Sequence, residues 1–276
     1  MQLGIGSYAF AWSIGVPGHL PQSPMDVFTL VKTAADLDVS LVQIADNLPL
    51  HQLAPEKLQQ LIDHCERLKV AVEVGTRGLN FEQVEEYLDI AVKFKSPFLR
   101  LVVDDDGFEP EPSDIVRVIN KLIPLLEERN VMLAIENHDR FRAHQLSQIV
   151  QDTDPGRVGI CLDTANSLAA GQGIGEVMQY LAPYTINLHI KDVVITRVPS
   201  NMGFTVSGCP AGEGVIDIPW LLETLSKNPN FFSVTLELWP NFREDLDQTI
   251  RTEHQWVQQS IQYIRKVMTA SLNKQH

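Results

Sequence analysis

Four residues with metal-binding side chains close four consecutive apolar segments of the sequence. The segments are VMLAIEN, VGICLDT, TINLHIKD and SVTLELW, and the residues are Glu136, Asp163, His189 and Glu237. An apolar residue precedes each of them, so period-two alternation aims the four side chains to one side of their strands. Three carboxylates and one imidazole can bind Mn²⁺, Mg²⁺, Co²⁺ or Zn²⁺. The set predicts a site for one divalent cation without choosing the metal, and we take Mn²⁺ as the working assignment.

Such a site could carry out proton chemistry next to a carbonyl group. A carboxylate alone is too weak a base to deprotonate an α-hydroxy-carbonyl compound in water, but a cation on both oxygens stabilises the enediolate that forms. Return of the proton to the neighbouring carbon gives isomerisation, and return to the opposite face gives epimerisation. Loss of CO₂ from a β-keto acid reaches the same enediolate. The four residues do not distinguish these outcomes.

The elements that hold these residues alternate between strand and helix along the whole chain. Eight apolar runs predict strands, and they begin at Leu3, Ser40, Val70, Phe98, Val131, Val158, Thr185 and Ser233. Amphipathic segments such as PEKLQQLIDHCERL lie between them, and a long helix is predicted from about Glu244 to Met268. No Gly-rich phosphate fingerprint follows the first strand. We therefore predict an α/β fold, a (β/α)8 TIM barrel that forms a single domain over residues 1–276.

Composition and charge disfavour several classes of protein. The 276 residues are 44% hydrophobic and 21% charged, which is typical of a globular protein. A formal net charge of −13 repels nucleic acids and anionic membranes, and no apolar run reaches the ~18 residues that span a bilayer. Three widely spaced cysteines predict no disulfide framework. A secretory signal needs Lys or Arg near its start, and the first such residue here is Lys32. We expect a cytoplasmic protein whose partner is a small molecule.

The same segments carry a family resemblance. IENHDRF, GICLDTANS, NLHIKD, GEGVIDIPWLLETL and TLELW resemble the sequence blocks of the xylose-isomerase-like barrel superfamily of sugar (phosphate) isomerases, epimerases and endonuclease-IV-type enzymes. The resemblance covers nearly the whole chain. It implies that the four strand-end residues bind the cation, and that Glu136 and Glu237 form an acid/base pair on opposite faces of a sugar. It also implies a homo-oligomer, since such relatives are commonly dimers or tetramers.

Two departures from the family pattern concern function. Asn166 stands where many relatives have a histidine three residues after the aspartate, and the further Asp-x-His pair of the DNA-repair members is missing. Together with the acidic charge, these differences disfavour a nuclease. Gln43 replaces a glutamate that is frequent after the second strand, which leaves the role of that strand open.

Further polar and aromatic residues are predicted to contact the substrate. His138 and Lys191 each lie two residues beyond a predicted metal ligand, so they face the same side if the strand continues. The predicted substrate-binding residues are Trp12, His138, Asn166, Lys191, Arg197 and Glu213. The alternatives are a simple loop contact for His138 and an ion pair of Lys191 with Asp192 or Glu213.

A buried charge and a long connection complete the predicted barrel mouth. Arg100 lies in an apolar strand, where an unpaired charge is costly to bury, so we expect it to pair with a carboxylate within the barrel, with Glu73 as a candidate, or to face an anionic ligand. Residues 193–216 exceed the usual connection of about two to six residues, and we expect a loop that covers the substrate.

The sequence thus favours a metal-dependent isomerase or epimerase that acts on a small sugar or sugar acid. Few basic residues lie near the predicted mouth, which favours an unphosphorylated substrate. A narrower resemblance, of GIGSYAF, WSIGVPG, NMGFTV and PAGEG, is to 3-oxo-isoapionate decarboxylases and implies a metal-dependent lyase of a 3-oxo sugar acid as the alternative. An inosose-type dehydratase and a non-catalytic sugar-binding protein are further alternatives.

Overall fold

Short runs of aliphatic and β-branched residues form the strands because parallel strands are buried on both faces. The computed structural model describes residues 1–273. The strands are β1 Gln2–Gly6, β2 Leu41–Ile44, β3 Ala71–Arg77, β4 Phe98–Val102, β5 Met132–Glu136, β6 Val158–Asp163, β7 Thr185–Ile190, β8 Asp192–Arg197, β9 Phe204–Cys209 and β10 Ser233–Leu236. All eight strands predicted from the apolar runs are present.

Eight of these strands close into a parallel barrel in the order β1-β10-β7-β6-β5-β4-β3-β2. The register places Asp163 of β6 beside His189 of β7, and Glu136 of β5 beside Cys161 of β6. The strand ends that carry the predicted ligands are therefore neighbours at one rim of the barrel. The predicted (β/α)8 fold class is confirmed.

Helices surround the barrel and bury their apolar stripes against it. They are α1 Ala11–Ile14, α2 Val27–Asp36, α3 Pro55–Leu68, α4 Phe81–Phe94, α5 Pro112–Arg129, α6 Ala143–Gln151, α7 Ile174–Leu181, α8 Ile218–Leu225 and α9 Leu246–Asn273. In α3 the apolar stripe predicted from the sequence is buried at Leu58, Leu61 and Cys65. Asp26 caps α2 and Asn80 caps α4, each by accepting a backbone N–H with its side chain.

Alternation along each strand divides the side chains between the core and the barrel interior. Leu99 and Leu101 of β4 belong to the large core between barrel and helices, whereas Phe98 packs with Ala134 and Cys161 in a separate small cluster. Arg100 shares the parity of Phe98 and is also fully enclosed. The interior thus has an apolar floor with polar and charged side chains above it.

The segment after β7 is an ordered hairpin instead of the irregular loop expected from its length. β8 and β9 pair antiparallel from Asp192 with Cys209 to Arg197 with Phe204. Its base is buried, and its far end, with Ile195 and Phe204, is exposed. The run of β-branched residues in DVVITR is typical of a strand, and the Gly and Pro residues farther along obscure it.

Two findings of absence concern the described part of the chain. Within residues 1–273 there is no helix with the length and apolar character needed to cross a membrane. Cys65, Cys161 and Cys209 are free thiols and all three are buried, in agreement with the predicted lack of a disulfide framework.

Candidate active site and metal centre

The four predicted metal ligands meet inside the barrel at the carboxyl ends of the strands. Nδ1 of His189 lies 3.5 Å from Glu136 Oε2, 3.9 Å from Asp163 Oδ2 and 3.4 Å from Glu237 Oε1. All four side chains are almost completely buried. The structure thus brings together the residues that the strand ends singled out, and their binding of a metal stays a prediction.

The donor atoms of this cluster fit a divalent cation. His189 Nδ1 and Glu237 Oε1 are buried and make no hydrogen bond, and Asp163 Oδ2 and Glu237 Oε2 face only the ammonium of Lys191. Buried polar atoms are normally paired, so an unpaired set pointing at one spot calls for a partner. Ligand atoms of Asp163, His189 and Glu237 lie within 4.8 Å of one another, close enough to share one ion. Oxygen and imidazole nitrogen are suitable donors for such an ion.

The second strand holds the other ring nitrogen of His189. Gln43 Oε1 lies 2.6 Å from His189 Nε2 and both residues are fully buried. Because an amide oxygen only accepts hydrogen bonds, Nε2 carries the proton and Nδ1 turns its lone pair toward the carboxylates. Gln43 therefore supports a predicted ligand, which gives β2 the role that the sequence left open.

Lys191 closes the cluster from the end of β7. Its ammonium lies 2.8 Å from Asp163 Oδ2 and 2.9 Å from Glu237 Oε2, and 4.9 Å from the centre of the exposed Trp239 ring. Burial lowers the pKa of Lys191, but Asp163, Glu237 and Glu136 together raise it above its usual value. Lys191 is thus positively charged in the metal-free site.

The alternative for Lys191, an ion pair with Asp192 or Glu213, is not formed. Asp192 accepts the backbone N–H groups of Val193, Gly212, Gly214 and Ile216 at 2.8 to 3.2 Å. A Cβ at Gly214 would lie 2.1 Å from Asp192 Oδ1, and Gly212 has a φ of +89°, so both positions require glycine. Asp192 anchors the segment after β9, and Glu213 is exposed.

Glu136 differs from Glu237 because both of its oxygens accept hydrogen bonds. Arg100 Nε lies 2.5 Å from Glu136 Oε2, and Asn166 Nδ2 lies 2.9 Å from Oε1. Burial raises the pKa of Glu136, but Arg100, followed by His189 and Lys191, lowers it well below its usual range. Glu136 is therefore a weak proton acceptor, whereas Glu237 keeps Oε1 without a hydrogen bond and pairs through Oε2 with Lys191 alone.

The predicted ion pair of Arg100 with a carboxylate within the barrel is present, but Glu73 is not the partner. Arg100 pairs with Glu136 and with Asp46, at 2.9 Å from Nη1 to Oδ1. The register sets Gly75 beside Arg100, so Glu73 lies one inward-facing position lower in the barrel. There it accepts from Ser233 at 2.5 Å, and burial raises its pKa to about 7 although hydrogen bonds act to lower it.

A second charged group lies at the barrel mouth around Asp46. Asp46 Oδ2 accepts from Tyr8 at 2.8 Å and from Arg77 at 3.1 Å. Burial raises the pKa of Asp46, but Arg100 and Arg77 outweigh it, so the pKa is lowered and the carboxylate is ionised. His138 Nε2 lies 3.5 Å from Arg77 Nη2, and both side chains are partly exposed.

Asp46 is a residue at the mouth that the sequence reasoning missed. SLVQIAD ends in a carboxylate in the same way as the four strands that were singled out, so the signal for Asp46 was present. Asp46 follows the end of β2 at Ile44, whereas Gln43, on which the prediction for this strand rested, lies within it.

The structure separates the predicted substrate-binding residues into two groups. Asn166 and Lys191 contact the ligand cluster, and His138 lies beside Arg77 at the mouth. The other three do not reach the cluster: Trp12 donates to the Pro240 carbonyl at 2.8 Å and packs on Phe242, the exposed Arg197 lies over the Phe204 ring, and Glu213 is exposed.

Comparison with known proteins adds family information to this geometry. A family model described as xylose isomerase-like TIM barrel matches residues 31–267. The chain is 29% identical over 264 residues to a 3-oxo-isoapionate decarboxylase of Pectobacterium atrosepticum, and the match covers 96% of this chain and 95% of that protein.

Solved structures show the same fold at low sequence identity. D-psicose 3-epimerase with D-tagatose from Clostridium cellulolyticum H10 matches with a TM-score of 0.72 and 16% identity, over 97% of this chain and 99% of that one. A xylose isomerase-like TIM barrel protein from Mycobacterium smegmatis in complex with magnesium matches with a TM-score of 0.70 and 13% identity, over 98% and 97%.

Proposed function

The chain belongs to the xylose isomerase-like TIM barrel family, and we propose that it is a divalent-metal-dependent enzyme that decarboxylates a 3-oxo sugar acid. Its relatives and structural neighbours include enzymes of two kinds, a decarboxylase and epimerases. The observation that carries our choice is the difference between the two glutamates. Both oxygens of Glu136 are held, by Arg100 and Asn166, whereas Glu237 keeps Oε1 free and pairs only through Oε2, with Lys191.

Glu136, Asp163, His189 and Glu237 would hold the cation. Once bound, it supplies positive charge that stabilises the enediolate of a substrate next to its carbonyl group. The unpaired atoms of the cluster support this assignment, and so does the magnesium complex of the Mycobacterium smegmatis protein. Mn²⁺ remains our working assignment.

The number of proton transfers favours decarboxylation. Isomerisation and epimerisation need one group to remove a proton from carbon and a group to return it. In decarboxylation the bond to the carboxylate breaks, CO₂ leaves, its electron pair stays on the substrate, and one proton from an acid completes the ketone. We assign the delivery of that proton to Glu237, which is ionised at rest and takes the proton up from solvent, because its Oε1 faces the cluster without a hydrogen bond, whereas Arg100 keeps Glu136 ionised.

The charges around the site suit an acidic substrate. Three cations face four carboxylates, namely Arg77, Arg100 and Lys191 against Asp46, Glu136, Asp163 and Glu237. A divalent cation turns this deficit of one positive charge into an excess of one. A sugar acid with one carboxylate then balances the site, and a neutral sugar does not.

Lys191, Asn166 and His138 are the residues we propose for binding the substrate. The Lys191 ammonium lies between two carboxylates and the Trp239 ring, next to the place where the substrate oxygens must lie. Trp12 belongs to the aromatic wall of the mouth with Phe242. We leave Arg197 and Glu213 out because their exposed side chains do not reach the cluster.

Isomerisation or epimerisation of a sugar is the second candidate. The observation in its favour is that Glu136 and Glu237 both lie within 3.5 Å of His189 Nδ1, the arrangement expected of an acid/base pair around one ion. A cytoplasmic location and association into dimers or tetramers stay predictions.

A substrate panel tests the proposal. The metal-free protein is reconstituted with Mn²⁺ and incubated with 3-oxo sugar acids, ketoses and aldoses, and the products are followed by CO₂ release and proton NMR. We expect Mn²⁺-dependent CO₂ release from an acid and no change in the neutral sugars. Conversion of a ketose without loss of carbon would establish the second candidate instead. Tight Mn²⁺ binding without turnover of any compound would indicate a binding protein.

A further inference from the structure

A chain of buried hydrogen bonds connects the candidate metal centre with the lower barrel interior. We propose that Gln43 is a positioning residue that fixes His189 as the tautomer with its proton on Nε2, and that Asn187 and Glu73 orient Gln43 for this task. The inference rests on the proposed metal site, because the free Nδ1 is the atom that would bind the ion.

The direction of the Gln43 amide follows from its two lower neighbours. Gln43 Nε2 lies 3.2 Å from Glu73 Oε2 and 3.2 Å from Asn187 Oδ1. A flipped amide would place the Gln43 oxygen against the Asn187 oxygen, so two acceptors would meet without a proton between them. Gln43 therefore points its amide NH₂ down toward Glu73 and Asn187, and its amide oxygen up toward His189.

Asn187 has only one orientation available. Its Nδ2 donates to the Ser233 backbone carbonyl at 3.3 Å, to Ser233 Oγ at 2.8 Å and to Thr235 Oγ1 at 3.1 Å. A backbone carbonyl cannot donate, and the thiol of Cys161 points at Asn187 Oδ1 from 3.1 Å. The carbonyl of Ser233 thus sets the direction of every hydrogen bond above it.

The network ends at the imidazole of His189. Its Nε2 has to donate to Gln43 Oε1, which leaves Nδ1 as the ring atom that faces the three carboxylates. Gln43, Asn187 and His189 are fully buried, so no water competes for these bonds and a reversed amide would be costly. The tautomer that presents Nδ1 is therefore built into the barrel before any ion arrives.

Three variants test the proposal. Gln43→Leu removes the acceptor, Gln43→Glu keeps an acceptor oxygen, and Gln172→Leu is the matched control. Gln172 is also a buried glutamine, and it lies outside the site. Its side-chain oxygen accepts a 2.7 Å hydrogen bond from the backbone N–H of Ala143. Circular dichroism and thermal unfolding establish that each variant is folded.

The readouts are the tautomer and the metal affinity. We expect ¹⁵N NMR of histidine-labelled, metal-free protein to show His189 with its proton on Nε2 in the wild type and in Gln43→Glu. In Gln43→Leu the proton should move toward Nδ1, where the carboxylates accept it. The Kd for Mn²⁺, from EPR titration of the free ion, should rise roughly 10- to 100-fold in Gln43→Leu and stay near the wild-type value in Gln172→Leu and Gln43→Glu.

Two results would overturn the proposal. One is an unchanged His189 tautomer and Mn²⁺ affinity in folded Gln43→Leu, and the other is an equal loss of affinity in Gln172→Leu. Failure of the metal site itself looks different: the wild type would bind no Mn²⁺, while the NMR experiment on metal-free protein would still report the tautomer.

Discussion

Replacement of Arg100 by methionine should destabilise the protein strongly at neutral pH. Arg100 is 2% exposed and pairs with Glu136 at 2.5 Å and Asp46 at 2.9 Å. Removal of one partner from a buried ion pair costs about 3–5 kcal/mol, because the remaining charge is left without compensation. Methionine fills most of the space of the aliphatic stem, so the cavity adds little. We expect a loss of about 4–5 kcal/mol, toward the upper end of that range, since two carboxylates lose their cation.

The loss should depend on pH in a defined direction. Burial raises the pKa of Glu136, and Arg100 is the main cause that lowers it below its usual value. A carboxyl group with a lowered pKa in the folded state adds stability above its unfolded pKa of about 4.3, and this stability is lost as the pH falls through the folded value. Without Arg100, burial dominates and the carboxyl is more easily protonated. The difference between Arg100→Met and the wild type should therefore be largest near pH 7 and shrink in acid.

Urea unfolding at pH 7 and pH 4 measures this effect. With a slope of about 3 kcal/mol/M, the midpoint at pH 7 should fall by about 1–2 M in Arg100→Met. The control is Arg129→Met, which breaks a more exposed pair with Asp89 and should cost about 0–1 kcal/mol. An unchanged midpoint at pH 7, or an equal loss at both pH values, would refute the assigned role of Arg100.

Four further variants test other parts of the account. Lys191→Met should bind Mn²⁺ about tenfold more tightly by EPR titration, because its ammonium repels a cation at the same carboxylates, yet lose turnover; weaker Mn²⁺ binding would contradict this. Glu237→Gln should keep measurable Mn²⁺ binding but lose proton transfer, and unchanged activity would remove Glu237 from the acid/base role. Burial raises the pKa of Glu73 to about 7, so the wild type loses folding stability as the pH rises from about 4.3 through 7. Glu73→Gln lacks this carboxyl group, so its unfolding free energy in urea, relative to that of the wild type, should be higher at pH 8 than at pH 5. The same difference at both pH values would argue against this. Gly214→Ala should lower the unfolding free energy by about 1–3 kcal/mol, since its Cβ would lie 2.1 Å from Asp192 Oδ1, and a wild-type urea midpoint would show that the segment adapts without cost.

The fold and the ligand cluster could be predicted because they follow from local patterns. Apolar runs and alternation predict the strands, and the strands of a closed barrel have their carboxyl ends at one rim. The ligand cluster could be predicted without the register between strands, because each ligand lies at the carboxyl end of its strand. The four residues are Glu136, Asp163, His189 and Glu237.

Partners inside the barrel could not be predicted, because they depend on register. Glu73 was the candidate partner of Arg100, but the pairing of β3 with β4 sets Glu73 one inward-facing layer lower. The ion pairs of Lys191 were not foreseen, because its long side chain reaches across to Asp163 and Glu237. Strand pairing sets these distances, and a sequence pattern contains no direct information on them.

Solvent deuterium in the product tests the central claim most directly. The Mn²⁺-loaded protein is given a 3-oxo sugar acid in D₂O, and a ketose or an aldose in separate reactions, and CO₂ and the deuterium in product and recovered substrate are measured together. One-sided proton transfer by Glu237 predicts one deuterium per CO₂ at the carbon that lost its carboxylate, and none in the recovered substrate. Deuterium entering a ketose or aldose without release of CO₂ would contradict it, because that exchange requires the two-sided acid/base pair of an isomerase or epimerase.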